Sequence, residues 1–202
     1  MNAAPPHPLV ARLARALAGY APQRAERDEP YLEAAVALIV RPREDDDADL
    51  LFIRRAERAG DPWSGQIGLP GGRRDPADAS LETTALRETS EEVGLDLCRH
   101  GRVLGALDEI RPRTPVLPPI IVRPYLVVLE RPLDLVPDLV LSDEVADVRW
   151  VRLRALFVPG ARVSTIVAVR DLRLRVDAYQ YEDFTIWGMT ERILSNFDGL
   201  WR

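Results

Sequence analysis

Apolar positions change their period several times along this chain, and each change marks an element. Over residues 8–18, "PLVARLARALA", leucines and valine recur at helical spacing and predict a short amphipathic helix. A polar, proline-containing stretch, "APQRAERDEP", separates it from the core. "AAVALIV" (34–40) and "DLLFIRR" (49–55) read as strands joined by the acidic turn "RPREDDDA", a solvated hairpin loop rather than a metal site. Next comes a long Gly/Pro-rich loop, "DPWSGQIGLPGGRRDPADAS", then an acidic helix and "GRVLGALDEI". "IIVRPYLVVLE" and "DVRWVRL" read as buried strands, and "FTIWGMTERILSNFDGLW" as a C-terminal helix. Strands mixed irregularly with few helices predict an α+β fold rather than a doubly wound sheet.

The acidic helix carries the chemistry. In "LRETSEEVGL", Glu88, Glu91 and Glu92 stand three and four residues apart, so a helix sets all three carboxylates on one side, where they repel. Ser80 is a suitable N-cap, Glu82 sits in the first turn, and Gly94 suits the left-handed residue that ends a helix. Ala85, Leu86, Thr89 and Val93 form a core-facing stripe that leaves the glutamates on a common edge. A solvated acidic face explains such a run as well as a binding site does. The preceding loop decides for the site. Gly71 and Gly72 let backbone pass close to a ligand, and three oxygen donors suit Mg²⁺ or Mn²⁺ bridging to phosphate. Arg87 is placed to hold one of the carboxylates by a bidentate bond.

Composition narrows the classes. The 202 residues suit one domain with decorations, large enough for a core without disulfides or a structural metal. No apolar run approaches the ~20 residues of a membrane span, so neither a membrane nor a secretory route is expected, and the cytoplasm is. A net charge of -5 speaks against nucleic acid as partner. Cys98 is the lone cysteine, expected buried or half-buried, and excludes an internal disulfide. All 27 basic residues are arginine, which excludes a lysine nucleophile or a P-loop lysine.

The combination of Gly71 and Gly72 with Arg87, Glu88, Glu91, Glu92, Gly94 and Leu95 resembles the Nudix hydrolase family, whose box ends R-E-x-x-E-E-x-G-apolar. One position departs from it. Ala79 stands where the family carries its first glutamate, with Asp78 beside it, and the glycine-to-arginine spacing is one residue longer. The resemblance implies an α/β/α sandwich with a mixed sheet over residues 31–158. Residues 1–30 are then an N-terminal helical extension, and 159–202 a strand and helix completing the same domain. The spacing, "GQIGLPGG" and "IWGMT" (186–190) are similar to the coenzyme A pyrophosphatase branch, although Leu69 replaces its phenylalanine and "DPWSG" stands where a histidine often precedes the glycine.

That resemblance implies a Mg²⁺- or Mn²⁺-dependent pyrophosphohydrolase, with metal held by Glu88, Glu91 and Glu92 and Arg87 among the catalytic residues. Coenzyme A or acyl-CoA, split to 4'-phosphopantetheine and 3',5'-ADP, is the expected substrate. ADP-ribose, dinucleoside polyphosphates, NADH and nucleoside triphosphates are the alternatives, and a non-catalytic nucleotide-binding module is a third reading. Glu144 in "SDEVADVRW" is the candidate general base, or else a charged loop residue. Arg54, Arg55, Arg58, Arg73 and Arg74, with Gly71 and Gly72, are candidate phosphate contacts. Trp63 and Trp187 are expected to pack in the core or an interface, stacking on adenine being the other reading, and His7 and His100 to be structural or exposed. An EF-hand is excluded by its missing loop. By analogy with the family, the chain admits a homodimer.

Overall fold

The computed structural model describes residues 7–27, 30–61, 63–112, 119–130, 138–169 and 172–201; residues 1–6 of the expected N-terminal extension lie outside it. The elements are α1 (Pro8–Ala18), β1 (Leu32–Pro42), β2 (Ala48–Arg55), β3 (Ile67–Gly68), β4 (Gly71–Arg73), α2 (Leu81–Val93), α3 (Leu97–His100), β5 (Gly101–Ala106), β6 (Ile120–Leu129), β7 (Val145–Arg152), α4 (Leu153–Leu156), β8 (Arg162–Val169), β9 (Leu172–Tyr181), β10 (Phe184–Trp187) and α5 (Gly188–Trp201). Seven strands make a mixed sheet along the path β3-β2-β1-β6-β5, with β4 beside β1 and β7 beside β2. Among the described strands of this sheet, β1 and β6 alone run parallel. A second, antiparallel sheet is ordered β10-β9-β8.

Alternation along β1 separates two cores. Leu38 and Val40 join a cluster with α1, the second sheet and α5, while Ala35, Ala37 and Ile39 face α2. Two alanines on the latter face leave room for α2 to lie close. The helices therefore flank the main sheet, an α/β/α sandwich, and the first cluster ties both chain ends to the sheet through Leu9, Leu13, Phe197 and Trp201.

The hairpin of β1 and β2 opens the site. The two strands pair only near their turn, from Val40 opposite Leu50 to Pro42 opposite Ala48. Beyond that they splay, and 67–73 fills the gap: β3 pairs with β2, and β4 with β1. The glycine loop is thus held on both sides by strands.

Two sequence expectations need correction here. The predicted C-terminal helix over 184–201 begins only at Gly188, which has φ 71°; Phe184–Trp187 is the third strand of a sheet built from a β8–β9 hairpin that the sequence pattern did not reveal. Polar and apolar residues alternate in β8 and β9 without a strong apolar face, because the hairpin is largely exposed. Cys98 is exposed, not buried, since it sits on the outer side of the single turn α3.

Candidate active site

Ser80 caps α2 by accepting from Thr83 N–H at 3.1 Å, and Gly94 closes it in the left-handed conformation. Its buried face is Leu81, Thr84, Ala85, Thr89, Glu92 and Val93, with Leu86 only half-buried. Glu92 therefore lies on the core stripe and not on the edge with the other glutamates. Spacings of three and four from Leu81 through Ala85 and Thr89 end on Glu92 as readily as on Val93.

The two glycines are needed where they stand. A Cβ on Gly72 would fall 2.5 Å from the Glu88 carboxyl carbon. One on Gly71, at φ 148°, would fall 2.3 Å from the Ala35 carbonyl oxygen. Without side chains, this turn lets α2 bring its carboxylates to the strand edge. Gly71 N–H also donates to Glu92 Oε2 at 2.9 Å.

Behind the carboxylates, Arg87 joins three acids. Its Nε and Nη2 each donate to Asp78 at 3.0 Å, Nη1 donates to Glu91 at 2.8 Å, and Nη2 to Glu88 at 2.9 Å. Asp78 is buried and also accepts from Thr84 Oγ1 and Asp75 N–H, and the Arg87 guanidinium holds its carboxyl well below the usual carboxylate range. The bidentate partner of Arg87 is thus Asp78, nine residues upstream, which supplies the carboxylate that Ala79 cannot.

Burial leaves the glutamates short of positive charge. Glu92 is 4% exposed, and desolvation, helped by Glu88 and Glu144, lifts its carboxyl to about 7 despite the Gly71 N–H and Arg55 at 3.9 Å. Glu88 is raised too, first by burial and then by Glu91 and Glu144, against the pull of Arg87. An oxygen-only set with this unmet negative charge fits a hard divalent cation such as Mg²⁺ or Mn²⁺. As oriented, Arg87 and Gly71 engage these carboxylates, and among the described residues no three Asp, Glu, His or Cys side chains converge as a closed metal shell.

Glu88, Glu91, Glu92, Gly71, Gly72, Arg55, Arg73 and Glu144 all line one cavity of about 970 Å³. Arg73 is exposed beside the glycines, with its guanidinium unengaged by any described side chain, whereas Arg74 pairs with Glu33 at 2.8 Å. Arg54 lines not this cavity but an adjoining one of about 380 Å³, with Asp61, Gln66, Ile67, Val169 and Trp187 common to both. It is one residue from Arg55 on β2, so the strand turns it to the opposite face, where it pairs with Asp183 at 2.6 Å and stacks over Phe184. Arg58 is bound to Asp143 and Glu144, each at 3.0 Å. Trp63 and Trp187, expected to pack, are half-buried in the cavity wall. His7 caps α1 by accepting from Leu9 N–H at 3.3 Å, and His100 lies half-buried away from the site. Trp187 and Met189 of the IWGMT stretch wall the cavity, together with Leu174 and Ile193, which no motif singled out.

A mixed-sheet α/β/α sandwich, with a glycine turn feeding a carboxylate-rich helix into a cleft, defines the class of protein. The NUDIX domain family model matches residues 31–169, and the chain belongs to the Nudix family. It is 30% identical over 173 residues, covering 86% of each chain, to a Photorhabdus laumondii protein named "Uncharacterized Nudix hydrolase NudL". It is 33% identical over 144 residues to "Peroxisomal coenzyme A diphosphatase ndx-8" of Caenorhabditis elegans, covering 70% of this chain and 56% of that one. A Schizosaccharomyces pombe protein, "Uncharacterized protein C14C4.10c", is 34% identical over 162 residues, covering 71% and 48%. The chain thus spans about half the length of the last two. Among solved structures, a MutT/nudix family protein from Enterococcus faecalis superposes with a TM-score of 0.56 at 23% identity, covering 88% of this chain and 65% of that one, a likeness of fold.

Proposed function

We propose that this chain is a Mg²⁺- or Mn²⁺-dependent pyrophosphohydrolase that cleaves the diphosphate of coenzyme A or its acyl derivatives, giving 4'-phosphopantetheine, or its acyl form, and 3',5'-ADP. The observation that carries it is the meeting, in one cavity, of Glu88, Glu91 and Glu92 with the Gly71–Gly72 turn and the free guanidinium of Arg73. The choice of coenzyme A is supported by the "GQIGLPGG" loop and by the activity for which the nematode relative is named.

Glu88, Glu91 and Glu92 would hold the cation, which when bound supplies Lewis acidity and positive charge against the diphosphate. Arg73, beside the glycine turn, takes a phosphate oxygen. Arg55, anchored by Asp61 at 3.1 Å, offers positive charge on the opposite wall. Arg87 positions Glu88 and Glu91, and Asp78 keeps Arg87 in place. Glu144, once exchanged from Arg58, accepts the proton of the attacking water. A new P–O bond forms from that water as the bridging P–O bond breaks, and each product keeps one phosphate of the diphosphate, the 3'-phosphate staying with the nucleoside product. We take residues 159–202 as completing the same domain and the cytoplasm as the compartment, since an exposed, unpaired Cys98 suits a reducing milieu.

The test is a substrate panel with Mg²⁺ and with Mn²⁺: CoA, acyl-CoAs, ADP-ribose, dinucleoside polyphosphates, NADH and nucleoside triphosphates. CoA or an acyl-CoA is expected to show the highest kcat/KM and to yield the two phosphorylated products by mass. Half-buried Trp63 and Trp187 suit any nucleobase, so ADP-ribose is the runner-up. A higher kcat/KM on it would overturn the coenzyme A assignment.

A further inference from the structure

Two neighbouring carboxylates of the cavity wall share one arginine from the connection between β2 and β3. Arg58 Nη2 donates to Asp143 Oδ2 and Nη1 to Glu144 Oε1, each at 3.0 Å. Both acids line the cavity, and Arg58 itself does not. The backbone beneath each partner is fixed. Ser142 N–H donates to the Glu92 carbonyl at 2.9 Å and Ala56 N–H to the Glu144 carbonyl at 2.8 Å, so the acidic turn is tied both to the end of α2 and to the chain leaving β2. Arg58 N–H donates to Ser64 Oγ at 2.9 Å, and the Arg58 carbonyl accepts from Asp61 N–H at 3.2 Å. The side chains of Arg58 and Glu144 are 42% and 48% exposed, so they can part without disturbing these ties.

Glu144 is near enough to Glu88 and Glu92 to oppose their charged forms. While those carboxylates are unneutralised, their repulsion and the pull of Arg58 act in the same direction, and Glu144 stays turned from α2. Positive charge held by Glu88, Glu91 and Glu92 removes the repulsion and draws Glu144 toward the helix. An exposed ion pair contributes little, so Arg58 gives up Glu144 easily. It is not stranded when it does, because Asp143 remains on its other nitrogen. We infer that Arg58 is a latch with two partners, holding Glu144 off α2 in the empty site and keeping Asp143 alone once Glu88, Glu91 and Glu92 hold a cation. Arg58 and Asp143 are then positioning residues that act through Glu144, which enters the cavity only when the site is loaded. This inference rests on the diphosphatase proposal for the cation.

Cation affinity measured without substrate separates the latch from turnover. Mn²⁺ is titrated into the protein and its free fraction followed by electron paramagnetic resonance. Arg58→Gln is expected to tighten Mn²⁺ about two- to fivefold, because Glu144 no longer has to be released. Asp143→Asn is expected to weaken it by a similar factor, since it leaves Arg58 to Glu144. Removing a charge shifts affinity in the same directions by itself, so both substitutions are repeated in a Glu144→Gln background, where the latch has nothing to hold and each effect is expected to vanish. Equal shifts in the two backgrounds would overturn the inference, as would a weaker Mn²⁺ site with a lower melting temperature in Arg58→Gln, the mark of a merely structural tie. Undetectable Mn²⁺ binding in the unaltered protein would remove the latch and the cation together. Coupled shifts without hydrolysis of any diphosphate sustain the latch and remove the catalytic proposal. Metal-dependent hydrolysis with equal shifts does the reverse.

Discussion

Two glutamates in this protein are almost equally hidden from water and differently served. Glu109 is 8% exposed and receives Arg27, Arg123 and Ala25 N–H, the last at 2.9 Å. Burial alone would raise its carboxyl, yet the bonds from Arg123, Ala25 and Arg27 together bring it below the ordinary value. Glu92, at 4%, has one backbone N–H and a distant arginine, and its carboxyl rises to about 7. Glu109 latches the segment after α1 onto the start of β6, its charge fully met from within. Glu92 is held in place but left with charge unmet, which suits the cation proposed for it.

The sharpest way to break that contrast is catalytic. Glu91→Gln and Glu92→Gln are each expected to lower kcat by at least about a hundredfold with Mg²⁺ or Mn²⁺, in proteins that still fold, as judged by circular dichroism. Near-native rates in both would remove the role assigned to α2. Glu109→Gln is expected to act on stability instead. It strands Arg27 and Arg123 and costs on the order of 3 kcal/mol, seen as a fall of about 6–12 °C in Tm with the rate at permissive temperature unchanged.

Glu92→Gln should do the opposite in the metal-free protein. The folded carboxyl at about 7 lies above its ordinary value of 4.5, so the stability tied to its proton is fully present below 4.5 and is lost as pH rises through 7. In EDTA the variant is therefore expected to melt with the unaltered protein at pH 4.5 and above it at pH 8, by up to about 3 kcal/mol. Equal melting at both pH values would show that Glu92 carries no penalty. The smallest effect is expected from Arg54→Gln: less than about twofold in kcat/KM, because Arg54 is half-exposed, paired with Asp183 and outside the lining of the glutamates' cavity.

Much of the site was legible because it is local. A helix of known period, a cap, a left-handed terminator and a glycine pair lie within 24 residues of chain, from Gly71 to Gly94, and their order implies how they meet. Asp78 does not stand out as the partner of Arg87, because the family pattern points to Ala79 and conceals a carboxylate one residue away. Arg54 and Arg55 could not be told apart until β2 had a register, since one residue along a strand reverses the face. The β9 stretch "LRLRVDA" alternates as a half-buried strand does, but that its apolar side helps to wall the cleft waits on its pairing with β8 and β10.

What the sequence determined by itself was the alternation that makes the sheet, the α2 carboxylates, the glycines that let them approach, and hence the family. Tertiary structure alone decided which carboxylates are deprived of water and partners, which of two neighbouring arginines faces the cleft, and that the C-terminal elements help to wall it. The first set depends on backbone geometry over a few turns. The second depends on desolvation and contact between residues more than a hundred positions apart, such as Arg54 and Asp183, which no local pattern encodes.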